Sequence, residues 1–77
     1  MKLQKKLDEK THRFKELERD IGNWMDYYNS GVISKDYPEL NSNVYKLKKI
    51  KSIISEMLEV AENIETLKEV IKESETL

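Results

Sequence analysis

From Leu3 onward, apolar residues return at alternating steps of four and three. Leu7, Phe14, Ile21 and Tyr28 occupy one heptad position and Leu3, Leu17 and Trp24 the other, with Lys10 as the interruption. A mean step of 3.5 residues keeps a stripe on one face of a helix, and that stripe must lie against something apolar. It does not fit a strand, whose side chains alternate with a period of two. Charged residues at 38%, with two glycines and one proline, suit long helices better than a strand-and-turn fold. The expectation is an all-α chain forming one hairpin over 1–77. It has a helix over 3–30, a joint over 31–41, and a second helix that starts at 38 or 42 and runs to 75.

The first helix carries its own stop. In Tyr27-Tyr28-Asn29-Ser30-Gly31, the glycine can take the left-handed conformation that ends a helix, and Val32 is then expected to pack back on Tyr27. Gly22 falls on the outer face, where it costs about 1 kcal/mol relative to Ala. For the second start there are two candidates. Pro38-Glu39 suits a first turn, with no hydrogen bond lost and an acid at the positive dipole end. Ser42 is the competing cap, because Asn41-Ser42-Asn43 makes a poor helix interior.

The second helix is apolar over more than one stripe. Leu47, Ile54 and Ala61 make one seam position, and Ile50, Met57, Ile64 and Ile71 the other. Ile53, Val60 and Leu67 widen the stripe, with Val44, Leu58 and Val70 on its other edge. One partner helix cannot cover that width. Ile50, Ile53, Met57, Val60, Ile64, Leu67 and Ile71 are therefore expected to meet another chain. A core of this size supplies only roughly 3–5 kcal/mol. The chain has no cysteine for a disulfide or thiolate metal site and one histidine, too few for a zinc cluster. Oligomerisation is the staple that remains.

Charge selects a direction. Residues 1–20 carry seven basic and five acidic side chains, residues 46–51 four lysines and no acid, and residues 52–77 seven glutamates against two lysines. Folding back at the joint sets the basic start beside the acidic end. An antiparallel homodimer, closing into a four-helix bundle, also avoids stacking like charges.

Composition narrows function. The net charge of −1 exerts no pull on nucleic acid or membrane, and the glutamates near the lysines would repel a phosphate backbone. No stretch approaches a membrane span and the first residues lack a secretory apolar run, so a cytoplasmic protein is expected. Glu9 and His12 have the Glu-x-x-His spacing of carboxylate-bridged bundles but sit outside the stripe, and no second copy of the motif exists. With one histidine and no cysteine, no nucleophile–base set can be assembled. The expectation is a non-enzyme with no cofactor and no metal.

The joint is where chemistry could lie. Trp24, Tyr27, Tyr28, Tyr37 and Tyr45 gather there beside Lys46 and Lys49. Trp24 and Tyr28 fall on the stripe and are expected to pack inward, while periodicity does not place Tyr27, Tyr37 and Tyr45. The cluster is either a plug closing the hairpin or a pocket for an anionic aromatic ligand, with the lysines neutralising phosphate. Asp20 and Asp26 are the alternative partners for the lysines of residues 46–51.

Tyr27-Tyr28-Asn29-Ser30 followed by Asp36-Tyr37 resembles the YYxSxxWxxDY core of a bacterial helical family of unknown function, DUF 4298, in which a long amphipathic helix precedes the motif. Ile33 stands where that family has tryptophan. The resemblance implies that Tyr27, Tyr28, Ser30 and Asp36 belong to the joint's architecture, with Ser30 and Asp36 bracing the loop by side-chain-to-backbone hydrogen bonds.

Two functions fit these readings. One is a homo-oligomeric interaction protein that binds a protein partner through its surplus apolar surface. The other is a nucleotide-like ligand binder or sequestering protein. The short Lys-, Asn- and Ile-rich composition would suit a phage or mobile-element accessory protein that inhibits host defence.

Overall fold

The computed structural model describes residues 2–76. Helix α1 spans Lys2–Ser30, a 3-10 turn spans Pro38–Asn41, and helix α2 spans Asn43–Thr76. Along α1 from Arg13 to Trp24, the partners on α2 run back from Glu56 to Tyr45, so the helices form an antiparallel hairpin. The molecule measures 59 × 16 × 16 Å, with a radius of gyration of 17.2 Å. A compact domain of this length would have a radius near 11–12 Å. Two helices side by side make a rod, and a rod leaves much of its apolar surface uncovered.

The joint is built from local hydrogen bonds. Gly31 has φ +71°, the left-handed conformation at the end of α1. Val32 is mostly exposed, so little of it packs back on the helix as the stop was expected to require. Ser30 does that work: its Oγ donates to the Tyr27 carbonyl at 2.9 Å and accepts from the Val32 N–H at 3.2 Å. Further on, Asn41 Oδ1 accepts from the Ser34 N–H at 2.8 Å while Nδ2 donates to the Ser34 carbonyl at 2.9 Å. One side chain thus pairs with both backbone groups of a residue seven positions back, as a neighbouring strand would. The competition over where α2 begins is settled by division. Pro38 opens the 3-10 turn, and Ser42 caps α2 by accepting the Tyr45 N–H on Oγ at 3.3 Å.

The seam of α2 differs from the expected one. Buried apolar side chains are Leu17 on α1 and Ile50, Val60 and Ile71 on α2, with Ile53, Met57, Ile64 and Leu67 partly covered around them. Leu47 and Ile54, expected in the seam, are exposed. The helix is rotated so that the row Ile53, Val60, Leu67 faces α1 in place of Leu47, Ile54, Ala61. The reason is continuity. The first row stays large and apolar into the C-terminal half, whereas the second shrinks at Ala61 and becomes charged at Lys68. On the flank of this seam, Arg13 Nη2 lies 2.7 Å and Nε 2.8 Å from Glu56 Oε2, while Arg13 Nη1 lies 3.7 Å from Glu16. The hydrogen bond to Glu56 raises the guanidinium above its ordinary value; Arg13 is charged with or without it.

Candidate functional site

The hairpin offers two surfaces, the aromatic joint and the outer face of α2. At the joint, the i, i+3 spacing of Trp24 and Tyr27 puts both rings on one side of α1. They meet edge to face, with centroids 6.1 Å apart. Tyr45, from the first turns of α2, tilts against Trp24 at 6.3 Å. The Lys46 ammonium lies 4.6 Å from the centre of the Tyr27 ring, and that of Lys49 lies 5.5 Å from Tyr45.

Five of the seven expected ligand-site residues are thus brought together: Trp24, Tyr27, Tyr45, Lys46 and Lys49. Tyr28 is half-buried and shares no ring contact with them, and Tyr37 is exposed. Lys46 is only 5% exposed. Its charge faces an aromatic ring, and neither Asp20 nor Asp26 pairs with the lysines of residues 46–51 among the described residues. The Tyr27 hydroxyl is buried without a protein hydrogen-bond partner.

Beside the cluster, a groove of about 200 Å³ is lined by Asn23, Trp24, Tyr27 and Leu40. Ligand pockets usually run from about 300 to 1,000 Å³ and bury most of what they hold. The groove falls below that range, and Lys46 is folded onto the Tyr27 ring that lines it. Asn23 and Leu40 were not expected here. Leu40 lies in the 3-10 turn, whose position depends on the Asn41–Ser34 pairing, and no periodicity marks it.

The outer face of α2 has a different character. Val44, Leu47, Ile54 and Leu58 are 48–61% exposed. At about 100° per residue, Leu47, Ile54 and Leu58 share one side, about 120° around the helix from the seam. Next to this strip, between the two helices, runs a groove of about 300 Å³ lined by Thr11, Phe14, Ala61, Ile64, Glu65 and Lys68. Of the seven residues expected at an interchain contact, Ile50, Val60 and Ile71 are buried within the chain itself, and Ile53, Met57, Ile64 and Leu67 are partly so. The large apolar side chains that α2 leaves exposed are Val44, Leu47, Ile54, Leu58 and Val70, outside the expected row. Packing of α1 covers the row first.

Glu9 and His12 lie exposed on α1, and His12 Nε2 sits 3.3 Å from Glu16, an i, i+4 surface pair. Among the described residues, no group of three or more His, Cys, Asp or Glu is arranged to hold a metal ion, and no helix is long and apolar enough to cross a membrane. No family model matches the chain, and no curated protein or solved structure matches it.

Proposed function

We propose that this chain is a non-enzymatic interaction protein whose contact surface is the outer face of α2, with the aromatic joint closing the hairpin. The observation that carries this reading is the exposed strip of Leu47, Ile54 and Leu58 on a helix whose inner face is already packed. Contiguous apolar surface with charged residues on its rim marks sites where proteins associate. Lys48, Lys51, Glu59 and Glu62 supply such a rim here. The tilted ring stack and the engaged Lys46 favour a plug at the joint over a pocket.

The test is site-specific photocrosslinking in cells. A photoreactive residue at Ile54 should give a discrete adduct, and the same residue at Lys15, on the exposed side of α1, should not. Equal labelling at both sites, or none at Ile54, would remove the reading.

A further inference from the structure

We infer that the occupant of the outer face is a second copy of this chain. It lies antiparallel along α2, with its Leu47 seated in the groove on Phe14, Ala61 and Ile64, under the side chains of Glu65 and Lys68. The inference rests on the contact surface proposed above and names its partner.

The outer face is self-complementary. A two-fold contact brings the same surface from both sides, so each chain must offer both the projection and the recess. The strip offers both. Leu47, near the start of α2, projects 48% exposed. The 300 Å³ groove beside Ala61 lies two helical heptads further along, open on the same side because alanine leaves room. With the two-fold axis crossing α2 midway between Ile54 and Leu58, residue 47 of one chain stands level with about residue 65 of the other, inside the Ala61–Lys68 span of the groove. Leu47 then enters the groove from each side, and Ile54 and Leu58 pack across the axis.

Charge favours the same pairing. In that register Lys48 and Lys51 of one chain run beside Glu59 and Glu62 of the other, on the same side of the interface. A parallel pair would instead set Lys48 and Lys51 against their own copies and Glu59 and Glu62 against theirs. Like-charge juxtaposition penalises that alternative, so charge sets the direction while Leu47, Ile54 and Leu58 set the contact. The assembly is then four helices with the two α2 helices at the centre.

Sedimentation equilibrium at about 100 μM, with circular dichroism on the same samples, tests this directly. The wild type should sediment near twice its 9.2 kDa mass. Leu47→Asp should sediment as a monomer, with its helical signal and its dilute-solution melt retained because the site is exposed in the single chain. Lys51→Glu should weaken the dimer several-fold, and adding Glu62→Lys to it should restore the affinity. A monomeric wild type overturns the proposal, as does a dimer whose affinity Leu47→Asp leaves unchanged. Failure of Lys51→Glu/Glu62→Lys to recover would overturn the antiparallel register. If the wild type is monomeric while the Ile54 crosslink yields an adduct to a different protein, the second copy is excluded and the contact-surface reading survives. If the crosslink also fails, both fall.

Discussion

The inner and outer faces of α2 are made of the same residue types and do opposite things. Inside, Ile50, Val60 and Ile71 are buried against α1; outside, Leu47, Ile54 and Leu58 remain about half exposed. Ile53 and Ile54 are chemically alike, but their rows differ further on: Val60 and Leu67 stay large where Ala61 is small and Lys68 is charged. A single partner helix can cover one row, and the row that stays large over more turns contributes more apolar contact. The other row is left as surface.

Deleting one side chain from each face separates them most widely. Leu17, 1% exposed on α1, is the side chain the inner face closes over. Leu17→Ala should cost about 3 kcal/mol in a urea or thermal melt, within the usual range for a buried leucine. Leu58→Ala in dilute solution should cost less than about 0.5 kcal/mol, as exposed sites do. Similar costs for the two would mean that the faces are not distinct in the isolated hairpin.

The joint fixes where α2 starts. Asn41→Ala removes both hydrogen bonds to Ser34 and should cost about 1–2 kcal/mol, since two part-buried backbone groups lose their partner. Asn41→Asp keeps the acceptor and loses the donor, and should fall between. If Asn41→Ala leaves the melt unchanged, the pairing does not hold the joint.

Gly31→Val should cost on the order of 1 kcal/mol. A Cβ there meets no neighbouring atom within 4 Å, so the penalty comes from φ +71° alone. Gly31→Asn, which tolerates that region, should cost less. Equal losses would mean that the turn does not depend on the left-handed conformation.

The smallest expected effect carries the most information about the joint. Tyr27→Phe removes a buried hydroxyl that has no protein partner and keeps the ring under Lys46. In a plug it should leave the melting temperature unchanged or raise it slightly. A clear loss of stability would show that the hydroxyl is engaged, and calorimetry against nucleotides would then separate a bound ligand from a structural water.

Much of this was legible because helical periodicity is a local property. The 3.5-residue recurrence on α1 marks a helix regardless of what packs on it, and Gly31 after Asn29-Ser30 marks its end, since only a residue free of Cβ strain turns left-handed there at no cost. The charge blocks likewise indicated that the chain folds back on itself. The gathering of Trp24, Tyr27 and Tyr45 follows from their spacing and the hairpin, although no pattern fixed the two outer tyrosines in advance. Tertiary structure alone decided three things: the rotation of α2 about its axis, the exposure of Leu47 and Ile54, and the burial of Lys46 against Tyr27. Each depends on how two surfaces fit when pressed together. Two adjacent apolar rows look alike until one helix must choose between them, and α1 covers the row that stays large and apolar along its length, leaving the row that shrinks at Ala61 and turns charged at Lys68 as surface.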